Sequence, residues 1–198
     1  MNAIILSALS GVLMMFTGIL TQNKIRIRNT AIAAAVVLLI GNLLNVYTGI
    51  SFQIETHNML RFDQFGLFFN TIVIVLILLY FFLSGSEITK VGNYPAEYFA
   101  LLFFSLCGVT ILSSFSSLLM LFLGIEIMTI PLYILTGADK KNLKSNEASL
   151  KYLLMGAFST GLLLMGIALL YGANGNFNVD ASATNTNPTG IIDRKSVV

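Results

Sequence analysis

Six stretches, each apolar enough to cross the hydrocarbon core of a bilayer as a helix, follow one another with short polar connections between them. No other feature limits the fold so strongly. A backbone placed in lipid has no water to bond, and only helices and closed barrels satisfy all of its amides and carbonyls internally. The stretches run approximately over Ala3–Leu20, Ala31–Tyr47, Phe65–Leu83, Glu97–Phe115, Leu118–Thr136 and Ala148–Tyr171. A helical span needs about 20 such residues. The expected fold class is therefore all-α, a polytopic membrane helix bundle with about six transmembrane helices. Composition agrees: 56% of the residues are hydrophobic and 10% charged, with a mean hydropathy of +0.85, which excludes a water-soluble globule. No Lys or Arg precedes the first stretch and no convincing cleavage site follows it, so it reads as a retained helix rather than a signal peptide.

Loop charges orient the bundle, because Lys and Arg concentrate on the cytoplasmic side. Lys24, Arg26 and Arg28 follow the first span, Lys90 the third, and Lys140, Lys141 and Lys144 the fifth, whereas the opposite loops contribute Arg61. The amino terminus is expected outside. Between the second and third spans, Ile50 to Glu55 alternates apolar and polar, the period of a short half-buried strand in an exterior hairpin or cap. From Gly172 to Val198 the chain turns rich in Asn, Thr, Ala and Gly and ends in DRKSVV, which predicts a polar loop or an aberrant tail. The net charge of +2 is small and scattered, with no basic patch to suggest nucleic acid. Cys107, the single cysteine, reads as a small buried hydrophobe and excludes an intrachain disulfide.

The polar residue of greatest interest is Glu126, in the middle of the fifth span. An ionised carboxylate at mid-bilayer costs roughly 2.5–3.5 kcal/mol on insertion scales, so it is tolerated where it faces protein or water and can be partnered or protonated. Counted from Thr136 at the helical rise, Glu126 lies about 15 Å deep, near the middle of a roughly 30 Å core. Thr129 and Tyr133, three and seven positions on, extend a polar stripe along one helix face. Pro131 has no amide hydrogen and crowds the carbonyl of Ile127, so the helix is expected to bend just after the acid and to leave a carbonyl free to hold water. Such an acid handles protons, or alternatively pins two helices together.

Lys151 is the candidate cation, one turn inside the sixth span. It stands at i+4 from Glu147, so one reading is a surface pair worth a few tenths of a kcal/mol. The other has Lys151 stretch inward along the hairpin toward Glu126, with water bridging the gap, and modulate its proton affinity. Asn42, Asn45 and Asn70 read as interhelical hydrogen-bond glue, and Gly156, Gly161 and Gly166, with Ala157, as sites of close helix packing. His57 reads as a solvated loop histidine. No dinucleotide-binding glycine turn, cysteine cluster or intramembrane histidine supports a nicotinamide, flavin, iron–sulfur or haem site, so no cofactor is expected in this chain.

The run LFLGIEIMTIPLYILTGADKKNLKSNEASLKYLLMGAFSTGLLLMGIALLYG resembles subunit N of bacterial NADH-quinone oxidoreductase, respiratory complex I. The resemblance rests on Glu126, Pro131, Tyr133 and Gly137, a basic loop, and then Glu147, Ala148, Lys151, Tyr152, Gly156 and Ala157 in the family's order. It is strong from about Tyr98 to Asn176 and weaker before, where FDQFGLFFN, Phe62 to Asn70, is similar to the opening of the family's third helix.

The resemblance implies a partial antiporter-like fold. Residues 1–96 would form an N-terminal three-helix membrane segment, 97–171 the first three helices of a proton-translocating repeat, and 172–198 the polar tail. It implies a proton half-channel in which Glu126 and Lys151 carry translocation, with Pro131 and Tyr133 in support. NADH, FMN, iron–sulfur clusters and quinone would belong to partner subunits. The other membrane subunits of complex I and the lipid bilayer would be the partners, and the bacterial inner (plasma) membrane the location. Complete family members are roughly twice this length or more and carry a second, inverted helix bundle and a helix-seven lysine. The chain stops before that lysine and its DRKSVV ending resembles nothing in the family, so a truncated product is one reading. Two alternatives remain at this level: a subunit of a multisubunit cation/proton antiporter, which uses the same glutamate-and-proline helix, and an inactive truncated fragment.

Overall fold

A computed structural model describes residues 2–21, 23–48, 59–83, 95–139 and 141–179. The strand expected over Ile50 to Glu55, His57, Lys90, Lys140 and the tail from residue 180 lie outside the described residues. Six helices follow in order: α1 Asn2–Leu20, α2 Lys24–Thr48, α3 Gln64–Leu83, α4 Pro95–Leu112, α5 Leu118–Thr136 and α6 Leu143–Asn174. Each is long and apolar enough to cross a membrane.

The helix ends differ from the apolar runs for reasons that lie in polar residues. The second helix begins seven residues before Ala31, at Lys24, because Asn23 caps it: the Asn23 Oδ1 accepts from the Ile25 amide at 3.1 Å. In the same way Asn142 caps α6, accepting from the Lys144 amide at 3.0 Å, and moves its start to Leu143. By contrast α4 stops at Leu112, short of Phe115. Past that end the Ser114 hydroxyl donates to the Thr110 carbonyl at 2.9 Å, while the single hydrogen of the Ser113 hydroxyl has both that carbonyl, at 2.9 Å, and Asn70 Oδ1, at 2.8 Å, within reach. After α6, Gly175 takes the left-handed conformation, φ 67°, and its amide donates to the Tyr171 carbonyl at 2.7 Å, ending the helix.

Helix α4 is central, with half of its span buried between α1 and α5, while α2 packs on α3 and α1. Lipid tails are as apolar as Leu, so close packing and polar bonds hold the helices together. At Gly108 a Cβ would come within 2.4 Å of the Met128 backbone nitrogen, so the absence of a side chain there is what lets α4 and α5 approach. Farther along, Phe81 of α3 meets Phe99 and Phe103 of α4 edge-on, with ring centroids 5.0 and 5.6 Å apart. Cys107 is buried as expected, its thiol toward the Ile4 carbonyl at 3.7 Å. Two of the three asparagines read as glue make contacts between elements: Asn42 of α2 donates to Thr71 of α3 at 2.8 Å, and Asn70 Oδ1 of α3 lies 2.8 Å from the Ser113 hydroxyl.

At one end of the bundle three connections are stitched by backbone bonds. The Arg61 amide donates to the Ser114 carbonyl at 2.7 Å and the Ser116 amide to the Met59 carbonyl at 3.0 Å. On the other side of the same segment, the Leu118 amide donates to the Phe177 carbonyl at 2.8 Å and the Val179 amide to the Ser116 carbonyl at 3.1 Å. The pairing is antiparallel, Leu60 with Phe115 and Ser117 with Asn178. These bonds satisfy groups that helix ends leave open. Part of the segment expected to be a loose tail is thereby tied to the start of α5.

Candidate functional site: the α5–α6 hairpin around Glu126

Helix α5 is capped by Ser117, whose hydroxyl accepts from the Leu119 amide at 3.3 Å, and runs without interruption through Pro131. Glu126 is half-buried midway along it. The Thr129 hydroxyl turns back to donate to the Glu126 carbonyl at 3.4 Å. Pro131 is buried and offers no amide hydrogen, so the Ile127 carbonyl, next to the acid, loses its helical donor. The Ile127 carbonyl is left without its helical amide by the chemistry of proline, within a helix that continues.

Tyr133 lies two turns from Glu126 on the same face and is buried. Its ring meets Tyr152 of α6 edge-on, centroids 4.9 Å apart. Its hydroxyl occupies the space a side chain at Gly156 would need: a Cβ there would sit 2.0 Å from the oxygen. Gly156 is thus the glycine of α6 that this hairpin requires, while a Cβ on Gly161 or Gly166 would meet nothing within 4 Å.

The carboxyl end of α5 has a complete account of its orphan carbonyls. A helix leaves its last four without intrahelical donors. The Gly137 amide donates to Ile134 at 3.1 Å and the Ala138 amide to Leu135 at 3.2 Å. The other two are served by α6, with Ser149 Oγ donating to the Tyr133 carbonyl at 3.0 Å and Ser145 Oγ to the Thr136 carbonyl at 2.8 Å. Reading the sequence alone missed both serines. Their i, i+4 spacing puts them on one face, which was the available signal, but which carbonyls they would meet depends on the hairpin register.

That register locates the acid. With Ser149 opposite Tyr133 and Ser145 opposite Thr136, Glu126 falls about level with Gly156 at 1.5 Å per residue in both helices. Side chains lean toward the amino end of their own helix, so the Tyr133 hydroxyl, at Gly156, reaches to within about a turn of that level.

Lys151 is placed differently. Two residues beyond Ser149, it lies about 200° around α6, on the face turned from α5. Its ammonium pairs with Glu147 Oε1 at 2.5 Å, and the two side chains are 71% and 64% exposed. The structure thus joins Lys151 to Glu147 and does not extend it along the hairpin to Glu126. Positions of α6 that are not exposed between Ser145 and Ile167 are Ser145, Ser149, Gly156, Thr160, Leu163 and Ile167, a narrow seam with steps of three, four and seven. Among the described residues no group of three or more His, Cys, Asp or Glu side chains could hold a metal ion.

Residues 114–193 match the family model described as "NADH:quinone oxidoreductase/Mrp antiporter, TM". NADH-quinone oxidoreductase subunit N of Cytophaga hutchinsonii is 40% identical over 181 residues, covering 90% of this chain and 38% of the relative. Subunit N 2 of Rhizobium meliloti is 37% identical over 153 residues, 76% of this chain and 30% of the relative. Among solved structures, a chain of respiratory complex I from Thermus thermophilus with bound aureothin matches with a TM-score of 0.71 at 23% identity, over 89% of this chain and 38% of that one. A chain of the membrane-bound sulfane sulfur reductase, an archaeal respiratory membrane complex, matches with a TM-score of 0.73 at 24% identity, over 96% and 41%. These structural matches establish the helical fold. Sequence and fold together make this chain a relative of NADH-quinone oxidoreductase subunit N, spanning about two-fifths of the length of the C. hutchinsonii protein.

Proposed function

We propose that the chain forms a proton half-channel within a membrane subunit of a proton-pumping NADH:quinone oxidoreductase, with quinone reduction taking place elsewhere in the complex. The observation that carries this reading is Glu126: a half-buried carboxylate at mid-span, beside a carbonyl freed by Pro131, on the stripe where Tyr133 locks into α6. A carboxyl group in that position exchanges a proton without leaving the membrane, and its affinity is open to adjustment by neighbouring charge and water. The relatives named as subunit N support the same assignment.

In this reading Glu126 takes up and releases the proton, Pro131 supplies the local acceptor and Tyr133 fixes the hairpin around it. Lys151, on the far face of α6, acts through its charge toward whatever packs on that face, and on Glu126 across the helix. Residues 1–96 form the three-helix membrane segment and 97–171 open the translocating repeat. The chain itself holds no redox centre; NADH, FMN, iron–sulfur clusters and quinone belong to partner subunits. Its partners are the other membrane subunits, and it resides in a bacterial plasma membrane with its amino terminus outside. The test is Glu126→Gln in the assembled complex, which keeps shape and removes titration. Proton uptake per NADH oxidised is expected to fall with subunit content intact. Unchanged stoichiometry and rate would assign Glu126 a purely structural part.

A further inference from the structure

Away from the Glu126 hairpin, the end of α3 and the start of α4 bring two tyrosines together. Tyr80 and Tyr98 each stand three residues in from their helix ends, Leu83 and Pro95, or about 4.5 Å at the helical rise. Their hydroxyl oxygens lie 2.5 Å apart. The rings behind them are held in place: Tyr80 packs on Phe81 and Tyr98 on Phe99, with centroids 6.1 and 6.0 Å apart. Phe81 and Phe99 are fully buried and meet edge-on. A rigid aromatic base thus presents two hydroxyls as a preset pair.

Two hydroxyls have two hydrogens, and the contact between them uses one, whichever oxygen donates it. The second is directed away from the pair, and among the described residues no other hydrogen bond reaches either oxygen. There is room for a partner, because Tyr80 is 40% exposed and Tyr98 half-buried. The surface around them is apolar. Leu76 and Leu83, one turn to either side of Tyr80 on the same face of α3, are 58% and 80% exposed. Such a face meets hydrocarbon, where a hydroxyl hydrogen without an acceptor is penalised.

The level of the pair selects the acceptor. Helix α3, with 20 residues, spans about 30 Å, the thickness of the hydrocarbon core, so Tyr80 lies just inside one boundary of that core. Tyr98 leans toward the amino end of α4, which carries its oxygen back to the boundary. There the acyl chains of a phospholipid join the glycerol through ester groups, whose carbonyl oxygens accept hydrogen bonds. We propose that the Tyr80–Tyr98 hydroxyl pair is a phospholipid-binding site, donating its second hydrogen to a glycerol-ester carbonyl while an acyl chain lies along Leu76. The site uses none of the proton-handling residues and requires only that α3 and α4 span a bilayer. It stands or falls independently of the function assigned to Glu126.

The experiment offers the full chain in detergent an equal mixture of two phospholipids with the same head group and chains, one ester-linked and one ether-linked, and reads the bound lipid by native mass spectrometry. The ether linkage removes the carbonyl and little else. The chain is expected to retain the ester lipid about threefold better, the factor that one hydrogen bond within a membrane confers. Tyr80→Phe with Tyr98→Phe keeps both rings and should abolish the preference, whereas Tyr47→Phe, at an exposed tyrosine near the end of α2, should leave it intact. No preference in the unaltered chain overturns the proposal and assigns the second hydrogen to water. A preference that survives the double variant, or that falls equally with Tyr47→Phe, also overturns it. A density map of the chain in lipid bilayers gives a readout that needs no variant. Lipid density with its ester group within hydrogen-bond distance of the pair supports the proposal; a water or a protein side chain in that place overturns it.

Discussion

The hydroxyl of Tyr133 fills the place that a side chain on Gly156 would take, so that α5 and α6 are keyed together one residue against one absence. The contact is rigid on both sides, because the Tyr133 ring is buried and its own backbone carbonyl is held by Ser149. Any atom added at Gly156 must move the ring, the helix or both.

Gly156→Ala should therefore destabilise the hairpin by about 1–3 kcal/mol, the usual range for overpacking. Tyr133→Ala combined with it should recover part of that loss, since the oxygen that clashes is gone. Unfolding of both variants and the double variant in bilayer mimetics measures the coupling. Simple additivity would show that Gly156 and Tyr133 do not meet.

Ser145→Ala and Ser149→Ala each strip a donor from the end of α5, from the Thr136 and Tyr133 carbonyls respectively. Interhelical bonds of this kind average about 0.6 kcal/mol in membranes, so each variant should cost that order. The pair should also raise hydrogen exchange in the last turn of α5 while leaving its first turns, next to α4, unchanged. Uniform exchange along α5 would contradict the capping account.

Lys151→Met and Glu147→Gln break the same exposed ion pair, and exposed pairs contribute about 0–1 kcal/mol, so neither should affect assembly. Their effects on pumping should differ. On the proposed role of Lys151, Lys151→Met should give a clear loss of proton uptake in vesicles, while Glu147→Gln should be mild. Small, equal effects would reduce Lys151 to a surface partner of Glu147.

Topology is open to labelling. Arg61, before α3, and Lys141, between α5 and α6, are both exposed. Cysteines introduced there in place of each residue should react from opposite sides of the membrane, Lys141 from the cytoplasm. Labelling of both from one side would refute the expected orientation.

The spans were legible because a helix in lipid advertises itself by length and hydropathy, and α3 and α5 begin and end within a residue of their apolar runs. Where polar residues govern an end, hydropathy misplaces it: Asn23 and Asn142 draw charged residues into α2 and α6. Glu126 and Pro131 stood out because each violates the local pattern of its span. The facing of Lys151 did not, since an angle around α6 has meaning only once Ser145 and Ser149 have shown which side meets α5. The stitched connections were hidden for a related reason: Met59, Ser116 and Phe177 are distant in sequence, and backbone bonds between them leave no mark on side-chain pattern.

Synthesis proceeds from the amino end, and this sets an order on those connections. Met59 and Arg61 can find Ser116 and Ser114 as soon as α4 has been threaded into the bilayer and the chain has turned back. Phe177 and Val179 arrive much later, after α5 and α6 have both been inserted. Until then the Leu118 amide and the Ser116 carbonyl wait for partners that the ribosome has not yet released. Closure of that second ladder is thus possible only once α6 has brought Phe177 and Val179 back beside Leu118 and Ser116.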